Sequence, residues 1–406
     1  MQLAIVDYLG PGSQKSERIG VAAENSRTDG MMRPRDHHNV SSLPVIGALI
    51  LLLGSGINFA AMLRPMNVRI VSYNVLSSHL ADPSHFSTLD PEHLRATNRL
   101  PVILEKLDEE MNRNSLICLQ EVSYEWAGSL HTHFANKGYH MVTGLYGRKF
   151  NGYMGVAVAW PTAAMKVTDV DISRLSDKRE GGWPVAPKAG LLEKWTNTAV
   201  SLLRPTLEKL GLLSRPPVDA WAMAENRSNV IITVKLEDKE SGRGFVLSNY
   251  HMPCAYYAPK VMTIHSEMAA RHVQTLAGDM PYILAGDWNI KPYSTSYQLL
   301  TTGLIDRGDP EYPEPRWGME WKPTAKPMRS AYAVSGHGEP DFTNYARIRE
   351  NEPFIDTLDY IFLSDEWNVV DVKKLVKREE SGGPFPNLDF KEPSDHVLIA
   401  ADLKLQ

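Results

Sequence analysis

The pattern of hydrophobic and polar positions changes sharply near residue 66. Residues 1–42 are mostly polar and show no sustained helical or strand period, which predicts a disordered N-terminal segment. Residues 43–63 are apolar almost throughout, and at the helical rise they would extend about 30 Å, the thickness of a membrane's hydrocarbon core. We therefore expect residues 43–65 to be a membrane anchor or a targeting signal, with a translation start at Met66 as the alternative.

From Val68 onward, strand-like and helix-like patterns alternate. Apolar residues at helical spacing predict helices over 94–111, with a break at Pro101, and over 261–276, and a short helix begins at Tyr297. Apolar runs predict strands at 68–74, 115–122, 156–160, 230–236, 245–250, 358–363 and 397–403, and another that begins at Tyr282. Many strands follow one another directly. This favours an α/β fold with two packed mixed β-sheets flanked by helices, a four-layer sandwich over residues 66–406.

Residues 162–226 form the least regular part of the pattern. They contain Gly181 and Gly182, several prolines, and an amphipathic stretch over 191–210 that Pro205 interrupts. We interpret this region as a surface excursion, with a lid over an active site as the alternative.

Composition and charge narrow the function classes. The chain is 43% hydrophobic and 22% charged, as is usual for a globular protein, and its net charge is −5. This balance argues against a broad basic surface for nucleic acid, but not against an enzyme that holds phosphodiesters through bound cations. The two cysteines, Cys118 and Cys254, exclude a disulfide framework or a cysteine-rich zinc site. Cys118 stands in an apolar run, which predicts a reduced interior thiol.

Polar side chains that can bind metal or phosphate stand at the ends of the predicted strands. Asp287 and Asn289 follow one strand, and an extended chain would point both to the same face, beside a Gly286 that lets a ligand approach the backbone. The others are Asn74, Glu121, His251, Asp359, Asp395 and His396. Each alone has a structural explanation as a turn cap, an ion pair or a core residue. Together they indicate a site, because sites are built where strand ends meet at one edge.

The acidic members of this set would repel one another in a shared pocket without cations. A divalent metal resolves that repulsion, and oxygen ligands favour Mg²⁺ or Mn²⁺ over zinc. Such a metal stabilises charge on phosphoryl oxygens, on an attacking water or on a leaving oxygen. The pattern therefore predicts hydrolysis of a phosphate ester.

In this order, the motifs resemble the endonuclease/exonuclease/phosphatase superfamily over residues 68–405. Within it, the chain is similar to the carbon-catabolite-repressor type of messenger RNA deadenylase, with nocturnin and Angel as relatives. The stretches that carry this resemblance are 72–76, 286–300 with Gly303, 329–332, 342–345 and 358–362. The chain departs from that group at Trp288, where phenylalanine is usual, and in the residues after His251. It also lacks the leucine-rich adaptor region, so we do not expect docking to a large deadenylase complex.

The resemblance implies a role for each of the metal-binding candidates. Glu121 would be a direct Mg²⁺ ligand with Asn74 beside it. Asp287 and Asn289 would engage a second metal ion or position the attacking water. The cofactor implied is Mg²⁺, with Mn²⁺ as an alternative, and two ions are expected.

The same resemblance implies the groups that contact the substrate. His251 would contact the scissile phosphate, and His396 would do so too or bind metal. Asp359 would orient His396 or support the metal shell, and Asp395 would complete that wall. Phe354, five positions before Asp359, stands where an aromatic residue of those deadenylases stacks on adenine, with packing in a loop as the alternative.

The expected activity is that of a Mg²⁺-dependent phosphodiesterase acting on RNA or a nucleotide, in its preferred version a 3′-exoribonuclease that releases 5′-mononucleotides. The alternatives are a nucleotide phosphatase or 2′,5′-phosphodiesterase, then a DNA-repair endonuclease or a phospholipid or sphingomyelin phosphodiesterase. A non-catalytic binding module would have lost one of the candidate residues, and all of them are present. We expect an intracellular location, with membrane anchoring or organelle targeting through residues 43–63 left open.

Overall fold

Two six-stranded β-sheets pack face to face in the computed structural model, which describes residues 65–188 and 218–405 together with Leu207 and Lys209. The segments predicted at 1–42 and 43–65 thus lie outside the described residues, apart from Pro65. Among the helices that are described, none is long and apolar enough to cross a membrane.

The strands and helices are numbered in chain order over the described residues. The strands are β1 Met66–Asn74, β2 Leu116–Val122, β3 Tyr139–Leu145, β4 Gly155–Pro161, β5 Met165–Arg174, β6 Val230–Asp238, β7 Gly244–His251, β8 Tyr282–Asp287, β9 Arg329–Ser330, β10 Asn344–Ala346, β11 Phe354–Asp356, β12 Asp359–Leu363, β13 Trp367–Val372 and β14 Ile399–Leu405. The helices are α1 Pro91–Leu94, α2 Ala96–Met111, α3 Tyr124–Asn136, α4 Ala220–Glu225, α5 Pro259–Ala277, α6 Thr295–Thr302 and α7 Ala331–Val334.

Both sheets are mixed. The first has the order β13-β14-β1-β2-β4-β3, and the second has the order β5-β6-β7-β8-β12-β9. The parallel pairs are β1 with β2 and β7 with β8, each connected through a helix, and the other pairs are antiparallel. Strands β10 and β11 form a separate two-stranded sheet.

Side-chain alternation gives each sheet two apolar faces. One face of β1, with Val68 and Ile70, packs against the second sheet, and the other, with Val71 and Tyr73, packs against α2 and α3. Helices α4, α5 and α6 cover the outer face of the second sheet. The result is the predicted four-layer sandwich. Cys118 is buried and free, as predicted.

The hydrophobic pattern gave one wrong prediction, and it missed strand β5. Helix α2 continues through Pro101. Proline has no N–H to donate to the carbonyl of Thr97, but Thr97 is exposed, so water can bind that carbonyl instead. Within the region 162–226, Met165–Arg174 forms the edge strand β5 paired with β6, which the pattern did not predict. Most of β5 is solvent-facing, so its apolar alternation is weak. Apart from Leu207 and Lys209, the amphipathic stretch at 191–210 lies outside the described residues.

Candidate active site

Asp287, at the end of β8, lies at the centre of the polar cluster. Its neighbours in the sheet are His251, the last residue of β7, and Asp359, the first residue of β12. Ala285 and Ile361, two positions away on the same strands, pack between the sheets. Strand alternation therefore points these polar side chains into the same space. Nε2 of His251 lies 3.4 Å from Oδ2 of Asp287.

Asn74 joins the first sheet to this cluster. Its Nδ2 atom donates to Oδ2 of Asp287 at 2.9 Å and to Oε1 of Glu121 at 3.2 Å. Its Oδ1 atom accepts from the backbone N–H of Leu76 at 2.9 Å, which fixes the orientation of the amide. In this arrangement Asn74 holds two carboxylates in place. To bind a metal ion between these carboxylates, the Asn74 amide would have to flip so that Oδ1 rather than Nδ2 faces them.

Glu121 reaches the site because β2 is irregular near its end. The pairing with β4 shifts register between Leu119 and Val122, and Glu121 has a φ of 58°. Such a bulge re-aims a side chain that a regular strand would point to the opposite face from Gln120. Oε2 of Glu121 then accepts from the backbone N–H of Ser77 at 3.0 Å. A left-handed non-glycine residue costs about 1–3 kcal/mol and is typical of functional sites.

His396 is oriented by Asp359, as the sequence analysis expected. Its Nδ1 atom lies 2.7 Å from Oδ2 of Asp359, which also accepts from Oγ1 of Thr343 at 2.6 Å. The other ring nitrogen, Nε2, faces Oδ2 of Asp287 at 3.7 Å. Burial and the nearby Asp287 carboxylate raise the pKa of Asp359. Burial opposes the charged form of His396, but Asp359 and Asp287 outweigh it and raise the pKa of His396 well above its ordinary value.

The donor set fits a divalent cation. Asp287, Asp359 and His396 are all buried, and each offers a ligand atom within 4.8 Å of the others. Among the described residues nothing donates to Oδ1 of Asp359, although that atom is buried. Burial raises the pKa of Glu121, and the charge of Asp395 acts in the same direction, while the charge of His251 opposes the rise without cancelling it. A metal ion would satisfy these oxygen atoms and offset their repulsion.

One expectation about the stretch after β8 is wrong. Asn289 is not extended, since its φ is 51°, so the strand period does not bring it to Asp287. A turn does so instead, because the backbone N–H of Asn289 donates to Oδ1 of Asp287 at 3.0 Å. Gly286 is required by the neighbouring strand. A Cβ atom there would lie 1.8 Å from the carbonyl oxygen of Tyr250. Trp288 packs in the core behind the site.

Asp395 and Phe354 lie at the edges of the cluster. Asp395 is partly buried, and the preceding Ser394 hydroxyl donates to the backbone carbonyl of Asn74 at 2.7 Å. Phe354 is partly exposed on β11, with Nζ of Lys291 5.1 Å from its ring centroid. One face of the Phe354 ring therefore already contacts a cation.

The sequence analysis missed two residues that support the site. Oη of Tyr146 lies 3.0 Å from Nδ1 of His251, which fixes the imidazole that faces Asp287. Arg99 of α2 is fully buried and donates to the carbonyl oxygens of Val75, Leu76 and Pro393. Its guanidinium lies 5.1 Å from the Trp126 ring centroid, and burial lowers the pKa of Arg99 to about 10. The amphipathic pattern of α2 marked Arg99 only as a polar position, and Tyr146 follows a strand that the pattern did not predict.

Comparison with known proteins agrees with this geometry. The sequence model of the Endonuclease/Exonuclease/phosphatase family matches residues 71–396. The CCR4-Not complex 3′-5′-exoribonuclease subunit Ccr4 of Aspergillus fumigatus is 24% identical over 397 residues, which is 84% of this chain and 51% of that protein. The chain thus spans about half the length of the curated relatives it matches.

Two solved structures share the fold at low sequence identity. ANGEL2, described as a 2′,3′-cyclic phosphatase in complex with adenosine-2′,3′-vanadate, gives a TM-score of 0.60 at 17% identity, covering 84% of this chain and 97% of ANGEL2. The human nocturnin catalytic domain with bound sulfate gives a TM-score of 0.52 at 18% identity, covering 85% of this chain and 99% of that domain.

Proposed function

The chain belongs to the endonuclease/exonuclease/phosphatase family, and from this premise we propose that it is a metal-dependent phosphodiesterase, specifically a deadenylase-type 3′-exoribonuclease that releases 5′-mononucleotides. The observation that carries the proposal is the set of contacts around Asp287. Its carboxylate lies against Asn74 from one sheet and His251 from the other, with His396 completing the ring. Carboxylates, an amide and two imidazoles at one edge suit the hydrolysis of a phosphate ester.

The proposed cofactor is Mg²⁺, with Mn²⁺ able to replace it. Asp287 and Asp359 would hold one ion, and Glu121 would hold a second beside Asn74. A cation bound there supplies positive charge to phosphoryl oxygens and lowers the pKa of a bound water. The chemistry of the donors supports this choice, because carboxylate oxygens are the ligands that Mg²⁺ prefers.

The protein's own groups would orient and neutralise the phosphate. When the Tyr146 hydroxyl donates to Nδ1 of His251, the Nε2 atom keeps its proton and faces the site. His396, charged through its contact with Asp359, presents Nε2 on the opposite side of Asp287. Fixed donors of this kind stabilise charge that develops on phosphoryl oxygens, because they need no reorganisation during the reaction.

The proposed substrate is RNA with a 3′-terminal adenylate. Phe354 supports this, since it is a partly exposed aromatic ring five residues before Asp359 in the sequence. The 24% identity to a protein named a 3′-5′-exoribonuclease also supports RNA over other phosphodiesters.

A product assay on the full chain tests this proposal. Poly(A), mixed-sequence RNA, 2′,5′-linked adenylates, adenosine 2′,3′-cyclic phosphate, abasic DNA and sphingomyelin are incubated in parallel with Mg²⁺ and with a chelator. We expect poly(A) to be shortened from its 3′ end with release of 5′-AMP, only when Mg²⁺ is present. Faster turnover of another substrate would replace the RNA assignment, and activity that persists in chelator would contradict the metal dependence.

A further inference from the structure

A loop between β3 and β4 carries exposed aromatic rings next to the active site. We call residues 147–154 the rim loop. Within it Phe150 is 64% exposed and Tyr153 is 50% exposed, and the neighbouring Tyr124 at the start of α3 is 71% exposed. Clustered exposed rings of this size are typical of interaction sites, because burying them in the core would otherwise be favourable.

The rim loop borders the proposed catalytic groups directly. Tyr146, immediately before it, contacts His251. In its middle, the carbonyl oxygen of Asn151 accepts from the Ser77 hydroxyl at 2.9 Å, and the backbone N–H of Ser77 donates to Glu121. The exposed rings therefore stand at the mouth of the site.

Local hydrogen bonds hold the loop in one shape. Oδ1 of Asn151 accepts from the backbone N–H of Arg148 at 2.7 Å, and the carbonyl oxygen of Gly152 accepts from the backbone N–H of Tyr124 at 2.9 Å. Tyr153 has a φ of 51°, a conformation that a tyrosine keeps only when its surroundings impose it. Rings fixed in this way lose little entropy when a ligand stacks on them.

Two cations accompany the rings. Arg148 and Lys149 are exposed, and neither has an ion-pair partner within the ranges that the structure describes. The carboxylate closest along the chain to Tyr124 is that of Glu125, whose Oε2 accepts from the Ser78 hydroxyl. Exposed rings together with free cations are the combination that binds single-stranded nucleic acid, through base stacking and phosphate contacts.

The rim loop and Phe354 lie on different sides of Asp287. In the second sheet, β7 and β12 flank β8, so that His251 and Asp359 lie on opposite sides of Asp287. Tyr146, which immediately precedes the rim loop, contacts His251, and Phe354 precedes Asp359 by five residues in the sequence. A strand bound at Phe354 that continues past Asp287 would therefore reach the rim loop.

We propose that the rim loop is a second subsite for single-stranded RNA, in which bases stack on Phe150, Tyr153 and Tyr124 while Arg148 and Lys149 contact phosphates. This inference rests on the proposed function and adds that affinity grows with the length of the RNA. A membrane surface could also engage rings and cations. RNA is favoured because the loop is attached to the groups that would contact the phosphate.

The test is a length series of oligoadenylates, from dinucleotide to dodecamer, with the full chain. For the dodecamer, Phe150→Ala with Tyr153→Ala should lower kcat/KM at least about fivefold per ring, while the dinucleotide value stays unchanged. Arg148→Ala with Lys149→Ala should reduce the slope of log affinity against log salt by about 1.4. Lys166→Ala is the matched control. Lys166 forms an ion pair with Glu237, which lies beside Gly244, the first residue of β7, whereas His251 is the last residue of that strand. This variant should change neither the kcat/KM for the dodecamer nor the salt dependence of binding.

Other outcomes separate this inference from the proposed function. Equal losses on the dinucleotide and the dodecamer, or no loss on either, would overturn the rim subsite while leaving the phosphodiesterase intact. The rim subsite would also be overturned if the rim-loop variants lost binding to vesicles of anionic phospholipid but bound oligoadenylate as the wild type does. If the wild-type chain hydrolyses no phosphodiester, binding of a fluorescent dodecamer still decides the question. Weaker binding by the loop variants supports the subsite, and equal binding refutes it.

Discussion

Asn74 and Asp287 belong to different sheets, and a hydrogen bond of 2.9 Å joins their side chains where the two sheets meet. Beneath it, Nε2 of Gln120 donates to Oδ1 of Asn249 at 2.8 Å, which ties the same two sheets a second time. Because each sheet supplies part of the polar cluster, the site exists only when the sheets pack in this register. The activity should therefore depend on residues that fix the relative position of the two halves as well as on those that contact substrate.

Asp287→Asn should abolish metal-dependent hydrolysis while leaving the fold intact. The amide keeps the size of the side chain but removes the charge that binds a cation. We expect kcat to fall at least about 100-fold, together with loss of the rise in Tm that Mg²⁺ causes in the wild-type chain. Asp365→Asn is the control, since that side chain is 90% exposed and should affect neither measurement. An unchanged rate in the Asp287 variant would remove this residue from the mechanism.

The stabilisation by Mg²⁺ should depend on pH through Glu121. Burial raises the pKa of Glu121 in the folded protein, so the cost of the ionised carboxylate to the metal-free fold is fully present above the raised pKa, and it disappears as pH falls from the raised pKa to the unfolded value. A cation binds the ionised form. The increase in Tm caused by Mg²⁺ should thus be largest above the raised pKa of Glu121 and shrink as pH falls below it. Thermal melts across this range, with and without Mg²⁺, measure the difference. Glu121→Gln should flatten it, and a flat profile in the wild-type chain would contradict the assignment.

Arg99→Met should destabilise the protein and also slow catalysis. The methionine can still pack on Trp126, but the buried carbonyl oxygens of Val75, Leu76 and Pro393 lose their donor. We expect a loss of about 3–5 kcal/mol in the free energy of unfolding, measured in urea.

At a temperature where the Arg99 variant remains folded, kcat should fall more than KM rises. The reason is that Arg99 positions the loops beside Asn74 and His396. Arg95→Met is the control, because the Arg95 side chain is 63% exposed and forms an ion pair with the surface residue Glu92. Normal kcat in the folded Arg99 variant would mean that its role is purely structural.

Tyr146→Phe should affect catalysis with little effect on stability. The change removes one hydroxyl, which lies 3.0 Å from Nδ1 of His251, and leaves the ring in place. We expect kcat to fall about five- to tenfold, as for the loss of one hydrogen bond to a catalytic group. One limb of the pH–rate profile should also shift to a different pH. Tyr293→Phe, which removes the hydroxyl of a side chain that is 85% exposed, should leave the profile unchanged. Identical pH profiles for wild type and Tyr146→Phe would show that this contact does not tune His251.

The buried strands were predictable from the sequence because their side chains alternate or are apolar on both faces. The same alternation explains why Asn74, His251, Asp287 and Asp359 were correctly expected to meet. Strand β13 and helix α3 were missed, as was β5, whose mostly solvent-facing residues give little apolar signal.

Features that depend on tertiary packing could not be predicted. The bulge that turns Glu121 toward the site reflects the pairing of β2 with β4, and the turn that brings Asn289 to Asp287 reflects a local left-handed residue. Arg99 and Tyr146 act through partners distant in the sequence, which no local pattern reveals. The polar residues at the ends of predicted strands could be assigned to one site from the sequence, because that prediction requires only the two-residue period of a strand and strand ends that meet at one edge of a sheet.

The most direct test of the account is an anomalous diffraction map of crystals of the full chain soaked in Mn²⁺. The account predicts a peak within about 2.0–2.3 Å of a carboxylate oxygen of Asp287, with Asp359 or Glu121 among the other ligands. A map with no peak at these carboxylates, from a protein whose hydrolysis of RNA still requires Mn²⁺, would contradict it.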